Sequence, residues 1–422
     1  MSTPHRKYLL LGAGLASASA AQAIRAIDQR GELTLIGQEH IGPYIRPPLS
    51  KQYLRQRMAR KELFTHEPSW YADHGVELRT GSRASHIDTA RHIVALESGE
   101  EIGFDKLLIA TGLSPIHLHI PGADLPGIYY LRTADDADRI HNATEKARKE
   151  GTRHDRGHGR VAVIGGGILG VELAATLTQL GLAVDLFISR PHPWFKFAGE
   201  TTGKFIARYL EKNDVTVHCN AAPRALEGDG RIQRVITSDG AIACDFAVAA
   251  VGAAFNREIL RGTPIRCEKQ ILVDAHCRTN VPGIYAAGDC AAIFDPLFGK
   301  HRVLEHFDGA QTLGTLAGTN MAGAEKPYDA VNFFDSQLFD LKLKCWGESR
   351  VVDRRLVRVK PSDPNDQIEF GIAADNRIAQ IIAINHDGED DSLRSLIANR
   401  TAVNGNEESL KDPAFAISNL LI

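Results

Sequence analysis

Cysteine is scarce in this sequence, and long apolar runs and a strong excess of one charge are missing. The six cysteines lie between Cys219 and Cys345 with no C-x-x-C pair, which disfavours a disulfide framework and a thiolate zinc site. No apolar stretch approaches the roughly 18 residues that a membrane helix needs. The formal net charge is only −3, so the chain lacks the positive field of a dedicated nucleic-acid binder.

The first residues show no obvious targeting signal. Met1 to Lys7 precede an apolar run that breaks at Gly12, whereas a secretory signal needs a longer apolar stretch. Together with the sparse free thiols, this favours a cytoplasmic protein. The 422 residues, 43% of them hydrophobic, suffice for two or three globular domains. We expect no metal, nucleic-acid or membrane partner, and a monomer or a homodimer.

A glycine-rich turn near the N-terminus predicts a nucleotide-binding β-α-β unit. The strand Tyr8 to Leu11 leads into the turn, and a helix and a second strand follow. Gly12 and Gly14 fit a turn whose backbone approaches a pyrophosphate, while Ser17 stands at the third glycine position. Glu39, after the second strand, is either the acidic ligand of a ribose or a solvated turn carboxylate.

The same arrangement returns between Arg160 and Phe187. Gly165, Gly167 and Gly170 match the full spacing of the phosphate-binding turn and follow a predicted strand. A second helix and strand complete the unit. One chain therefore holds two dinucleotide folds, which predicts the α/β class.

A third nucleotide-type element lies between Thr279 and Asp289. This stretch predicts a turn, a strand and a Gly288-Asp289 pair that leads into a helix. Taken singly, a Gly-Asp pair is typical of an ordinary turn. After two nucleotide folds we interpret Asp289 as an acceptor for a ribityl hydroxyl of a flavin.

Two other regions differ from these units. The charged stretch from Thr144 to Arg160 predicts an exposed connection. After Pro327, short apolar runs and one helix predict a separate C-terminal α+β domain. The runs are Leu343 to Trp346, Leu356 to Lys360, Ile368 to Ile372 and Ile378 to Ile384, and the helix is Ser392 to Asn399.

Several motifs carry a family resemblance. The run Pro43 to Lys51 resembles the Arg-Pro-Pro-Leu-Ser-Lys motif of flavin-dependent ferredoxin reductases and apoptosis-inducing factor. Asp105 to Gly112 is similar to the Ala-Thr-Gly connection of these two-dinucleotide flavoproteins, and Val251-Gly252 to their second crossing. Val303 to Ala310 is closer to apoptosis-inducing factor than to most bacterial reductases.

The resemblance implies an architecture and cofactors. It predicts two Rossmann-like dinucleotide-binding domains of the glutathione-reductase type plus a C-terminal α+β interface domain. The expected bounds are 1–125 and 253–326 for the FAD domain, 126–252 for the NAD(P)H domain and 327–422 for the interface domain. The implied cofactors are FAD and NADH or NADPH.

The resemblance also implies roles for single residues. Lys51 would approach the flavin N5 edge and pair with Glu172, because an ammonium near N5 favours an electron-rich flavin; the alternative is a lysine and a glutamate on the surface. Further cofactor contacts are implied for Arg46, Thr111, Gly112, Arg132, Gly252, His306 and Phe307. Solvated arginines and a core aromatic pair are the corresponding alternatives.

The sequence departs from the family pattern at two places, one in the C-terminal domain and one in the coenzyme site. Phe333 to Ser336 lacks the tryptophan that the family often has early in its C-terminal domain. The coenzyme strand ends without an acidic ribose ligand, so Ser189 and Arg190 either hold a 2′-phosphate or are solvated. Both coenzymes therefore stay open.

The resemblance implies that NAD(P)H reduces the flavin and that the flavin passes electrons to a ferredoxin or a rubredoxin. No cysteine precedes Cys219, so the C-x4-C pair of disulfide reductases is missing and disulfide reduction is disfavoured. The alternative is a redox-sensing interaction protein resembling apoptosis-inducing factor, in which slow coenzyme oxidation controls assembly.

Overall fold

The computed structural model describes residues 6–154 and 157–421. The residues before these, where part of the search for a targeting signal falls, lie outside the described part. No helix in the described ranges is long and apolar enough to cross a membrane. The chain forms two compact units. Unit 1 comprises the described residues up to Arg46, then Arg60–Ser114 and Ala254–Asn332, and unit 2 comprises Pro47–Ala59, Pro115–Ala253 and Phe333 onward.

The secondary structure is mixed. The α-helices are α1 (Leu15–Ile27), α2 (Pro68–Asp73), α3 (Ala134–Glu150), α4 (Ile168–Gln179), α5 (Glu200–Lys212), α6 (Phe307–Met321), α7 (Asp390–Ala398) and α8 (Glu407–Lys411). The first strands are β1 (Lys7–Leu11), β2 (Glu32–Ile36), β3 (Val76–Arg79), β4 (Ala84–Asp88), β5 (Ile93–Leu96), β6 (Glu101–Gly103), β7 (Lys106–Ile109), β8 (Ser114–Pro115), β9 (Ile128–Tyr130), β10 (Arg153–His154), β11 (Gly157–His158), β12 (Arg160–Ile164), β13 (Ala183–Phe187) and β14 (Val215–His218). The remaining strands are β15 (Ala225–Glu227), β16 (Arg234–Thr237), β17 (Gly240–Ala243), β18 (Phe246–Ala249), β19 (Ala253–Ala254), β20 (Ile271–Val273), β21 (Ile284–Ala286), β22 (Ala291–Asp295), β23 (Lys300–Val303), β24 (Phe333–Leu338), β25 (Leu341–Gly347), β26 (Val352–Lys360), β27 (Asp363–Ala373) and β28 (Ile378–Ile384).

Unit 1 is built on a five-stranded parallel sheet with the order β21-β7-β1-β2-β3. Its central strand β1 is apolar and buried from Tyr8 to Leu11, as expected for a parallel strand that is covered on both faces. Two smaller three-stranded sheets, β4-β5-β6 and β20-β22-β23, complete the unit.

Helices α1 and α6 approach each other very closely within unit 1. A Cβ on Gly314 would lie 2.2 Å from the carbonyl oxygen of Ala16, and one on Gly318 would lie 2.4 Å from that of Ala20. Glycine is therefore required at both positions of α6, and the contact sets the place of α1.

Unit 2 contains a second five-stranded parallel sheet with the order β14-β13-β12-β18-β9. Its C-terminal part is a five-stranded antiparallel sheet with the order β24-β25-β28-β27-β26. The sequence predicts four of these antiparallel strands but not β24. The division into four domain segments stays a prediction.

One local prediction is wrong, and another holds only in part. Gly288-Asp289 does not open a helix but a single 3₁₀ turn, Gly288–Cys290, because the next residues form β22 and pair with β20. The stretch from Thr144 to Arg160 is not simply an exposed connection. Helix α3 extends to Glu150, Thr144 is fully buried within it, and its charges lie on the outer face. The hairpin β10-β11 follows.

Candidate functional site

The first glycine turn connects β1 to α1 in unit 1. Gly12 has a φ of +105°, and a Cβ there would lie 2.3 Å from the carbonyl oxygen of Ala110, so this position requires glycine. A Cβ on Gly14 would meet nothing within 4 Å, which leaves open space at the start of α1. Ser17 is fully buried, and its Oγ has no hydrogen-bond partner among the described residues. The helix thus accommodates a hydroxyl at the third glycine position.

The start of α1 suits a bound anion. Gly14 is the N-cap, no side chain among the described residues caps the helix, and its first turn carries no acidic residue. The first N–H groups of the helix are therefore left for an external acceptor, and no negative charge in that turn opposes one. This donor set fits the pyrophosphate of FAD.

The predicted ribose ligand and one predicted flavin arginine lie together. Tyr44 donates its hydroxyl to Glu39 Oε2 at 2.6 Å, and Arg46 Nη2 donates to Glu39 Oε1 at 2.8 Å. The guanidinium of Arg46 also lies over the Tyr44 ring, 5.0 Å from its centroid. Glu39 is consequently a partly buried and paired carboxylate rather than a solvated one.

Three predicted segments of unit 1 meet at one sheet edge. The glycine turn follows β1, Thr111 and Gly112 follow β7, and Gly288-Asp289 follows β21. Since β21, β7 and β1 are adjacent parallel strands, their carboxyl ends lie at the same edge. In open α/β sheets this edge is where ligands bind.

His306 and Phe307 stand at the beginning of α6. His306 is the N-cap residue with a φ of 101° and a ψ of 169°, a backbone region that is nearly exclusive to glycine. Such strain costs about 1–3 kcal/mol and is typical of ligand-binding positions. Phe307 is 39% exposed, so the two rings do not form a buried core pair.

The second glycine turn connects β12 to α4 in unit 2. A Cβ on Gly165 would lie 2.2 Å from the carbonyl oxygen of Ala250, and one on Gly170 would lie 1.9 Å from that of Gly165. Gly167 caps α4, and a Cβ there would meet nothing within 4 Å. As at α1, no described side chain caps the helix, and its first turn has no acidic residue. The turn fits a second pyrophosphate.

The predicted coenzyme residues Ser189 and Arg190 follow the end of β13 and lie at the surface. The Arg190 guanidinium lies 5.4 Å from the ring centroid of Phe195, which is itself exposed. The acidic residue within the strand, Asp185, is buried and accepts hydrogen bonds at 2.8 Å from Arg160 and His218. Its carboxylate is therefore engaged inside unit 2.

The pKa of Asp185 reports the same engagement. Burial by itself raises the pKa of this carboxyl, but the hydrogen bonds from His218 and Arg160 outweigh that effect and lower it.

The other predicted residues of this unit lie near element ends: Arg132 precedes α3, and Gly252, with a φ of +130°, follows β18.

Lys51 and Glu172 form an ion pair within unit 2, with 2.7 Å between Nζ and Oε1 and both side chains largely buried. Sequence reasoning missed two further partners of this carboxylate. Ser50 donates its hydroxyl to Oε2 at 2.5 Å, and Ser336 donates to Oε1 at 2.5 Å. The alternating pattern of β24, with one serine on an apolar face, was the available signal for Ser336.

The thiols do not form a redox pair. All six cysteines are free, and Cys290, next to Asp289, is fully buried with its Sγ 3.4 Å from the carbonyl oxygens of Ile109 and Ala287. Burial raises the pKa of the Cys290 thiol to about 11. Within the described ranges, no group of three or more His, Cys, Asp or Glu side chains is arranged to hold a metal ion.

Comparisons with known proteins found relatives over most of the chain. The family model described as pyridine nucleotide-disulphide oxidoreductase matches residues 6–314. The ferredoxin–NAD(+) reductase component of the anthranilate 1,2-dioxygenase system from Burkholderia cepacia is 29% identical over 98% of this chain and 99% of its own length. Rubredoxin-NAD(+) reductase of Pseudomonas putida is 27% identical over 87% of this chain and 92% of its own length.

Solved structures show the same fold. The crystal structure of the ferredoxin reductase for the CYP199A2 system from Rhodopseudomonas palustris superposes with a TM-score of 0.90 at 27% identity, covering 98% of this chain and 99% of that one. The predicted α/β class with two Rossmann-like domains is thereby confirmed, as are FAD and NAD(P)H as the cofactors. The chain belongs to the pyridine nucleotide-disulphide oxidoreductase family.

Proposed function

We propose that this protein is an FAD-dependent reductase that passes electrons from NADH or NADPH to a small redox protein, a ferredoxin or a rubredoxin. One observation supports this most: a single chain holds two glycine turns, each opening a helix whose first turn is uncapped and lies beside open space. Relatives of matching length are named as ferredoxin and rubredoxin reductases.

The residues of unit 1 would hold FAD. Gly12 and Gly14 let the backbone N–H groups at the start of α1 face the pyrophosphate. Asp289 would accept a hydrogen bond from the ribityl chain, and Glu39 one from the ribose. FAD held by these residues would supply the chemistry of accepting a hydride and donating single electrons.

The residues of unit 2 would hold the coenzyme and supply charge. Gly165, Gly167 and Gly170 form its phosphate-binding turn. We propose that the Lys51 ammonium stabilises negative charge on the flavin ring, since a partly buried cation acts more strongly than an exposed one. Glu172 holds that ammonium in place through the 2.7 Å ion pair.

The experiment is coenzyme-driven reduction of electron carriers by the purified, FAD-loaded protein. Each coenzyme is tested with a ferredoxin, a rubredoxin and no carrier, using cytochrome c as the final acceptor for the ferredoxin arm. We expect rapid turnover only when a carrier is present. Slow turnover with every carrier, together with coenzyme-driven dimerisation, would contradict the proposal and favour a redox-sensing interaction protein.

A further inference from the structure

We propose that Ser336 is a positioning residue for the Lys51–Glu172 pair, so that the C-terminal sheet completes the reducing site. The inference rests on the proposed function, because it concerns how the Lys51 ammonium is held for flavin reduction. Ser336 contacts neither substrate nor cofactor in this assignment. It acts through the carboxylate of Glu172.

The geometry at Glu172 distinguishes its two oxygens. Oε2 accepts a hydrogen bond from Ser50 at 2.5 Å. Oε1 accepts hydrogen bonds from Lys51 at 2.7 Å and from Ser336 at 2.5 Å. The Ser336 hydroxyl therefore binds the same oxygen that pairs with the lysine.

The position of Ser336 in β24 explains why its hydroxyl binds the Glu172 carboxylate. The strand alternates, with Phe334, Ser336 and Leu338 buried and Asp335 and Gln337 exposed. Ser336 is thus the polar residue on an otherwise apolar face. A buried hydroxyl needs a partner, and a carboxylate oxygen is a strong one.

Ser50 and Ser336 are not equivalent. Ser50 precedes Lys51 directly, and Thr176 on α4 donates its hydroxyl to the Ser50 carbonyl at 2.7 Å. This bond joins the lysine segment to the helix that carries Glu172, one turn along. Ser336 lies on β24 of the C-terminal antiparallel sheet, outside both the lysine segment and α4. Without it, Glu172 keeps its bond to Ser50 but can rotate, and Lys51 loses its fixed partner.

The test uses the FAD-loaded enzyme and the Ser336→Ala variant in rapid-mixing experiments. We expect the flavin reduction rate at saturating coenzyme to fall about threefold, because the ammonium is displaced but not removed. The coenzyme dissociation constant should stay unchanged. The flavin midpoint potential should become more negative, since a displaced ammonium stabilises the reduced ring less.

Two matched variants separate positioning from packing. Ser336→Thr keeps the hydroxyl and should restore the rate and the potential. Ser418→Ala makes the same chemical change at an exposed site of unit 2 and should match the wild type. An unchanged rate and potential in Ser336→Ala, or failure of Ser336→Thr to restore either, would overturn the inference.

Folding and function are controlled separately. If Ser336→Ala does not fold, Ser336→Cys, which keeps the shape and weakens the donor, is measured in its place with the same expected losses. Electron transfer from the wild type to carriers tests the proposed function independently. A wild type that reduces a carrier while Ser336→Ala behaves identically to it contradicts only the positioning role.

Discussion

At the scale of single residues, the Glu172 carboxylate is surrounded by donors to an unusual degree. Ser50, Lys51 and Ser336 all donate to it, and its side chain is only 6% exposed. Buried charges persist in proteins where they are paired and hydrogen-bonded, and here both conditions are met. The Lys51 ammonium is therefore held in one place instead of sampling solvent like a surface lysine.

Replacing Lys51 by methionine should slow flavin reduction about tenfold while FAD stays bound, because roughly 1.4 kcal/mol of charge stabilisation would be lost. The midpoint potential should fall, and stopped-flow reduction and potentiometry measure both effects. Lys204→Met removes an exposed lysine of unit 2 and is the control. A wild-type rate together with an unchanged potential would remove Lys51 from the mechanism.

The buried thiol of Cys290 should make the stability of the protein depend on pH. Burial raises its thiol pKa from 9.0 to about 11, so the folded protein keeps this proton after the unfolded chain has released it. The thiol therefore contributes stability below pH 9 that is lost as the pH rises toward 11. Between pH 8 and pH 10, the free energy of unfolding in urea should fall by roughly 1 kcal/mol less for Cys290→Ala than for the wild type.

The same variant tests thiol chemistry. Carrier reduction by Cys290→Ala should stay within about twofold of the wild type, because a neutral, buried thiol is a poor nucleophile. A fall of about a hundredfold with FAD retained, equivalent to roughly 2.7 kcal/mol of barrier, would instead indicate a thiol mechanism.

At the scale of elements, substituting one glycine in each of the two turns should separate their roles in binding. Gly14 and Gly167 both have negative φ values and room for a side chain, so aspartate should fit each backbone and even cap its helix. Its carboxylate would occupy the anion position and repel a pyrophosphate. We expect Gly14→Asp to fold but lose FAD, and Gly167→Asp to keep FAD and raise the coenzyme KM at least tenfold.

Visible absorbance and steady-state kinetics with each coenzyme measure the two losses, and each variant is the control for the other. Loss of FAD from Gly167→Asp, or an unchanged KM in it, would contradict the assignment of the second turn to the coenzyme. Melting curves establish that both variants are folded.

The sequence predicts the elements that local chemistry encodes. The spacing of the glycines predicts both turns, because a Cβ would collide with the backbone at certain positions of such a turn. In the structure, a Cβ on Gly12, Gly165 or Gly170 would lie 2.3 Å or less from a backbone carbonyl oxygen. The sequence does not predict β24, because Asp335, Ser336 and Gln337 give this short strand three polar residues in a row, one of which is buried. The contact between Ser336 and Glu172 joins segments that are far apart in sequence, and no local pattern contains it.

At the scale of the whole molecule, bound FAD should be a large part of the protein's stability. The protein should purify yellow, and stripping the flavin should lower its melting temperature, because FAD at about a hundred times its Kd contributes roughly 2.7 kcal/mol. Adding FAD back should restore both colour and melting temperature. A folded, colourless protein that cannot be reconstituted would contradict an FAD site.

The order of segments along the chain has a consequence for biosynthesis. The parallel sheet of unit 2 is complete once β18 has been translated, whereas the sheet of unit 1 needs β21, and α1 needs α6 as its packing partner. At about 5–20 residues per second, α1 waits many seconds for that helix after it leaves the ribosome. A nascent chain halted before Phe307 carries every strand of the unit 2 parallel sheet, whereas α1 still lacks its packing partner. We therefore expect flavin binding to follow the synthesis of α6, because α1 and the glycine turn before it are packed in place only then.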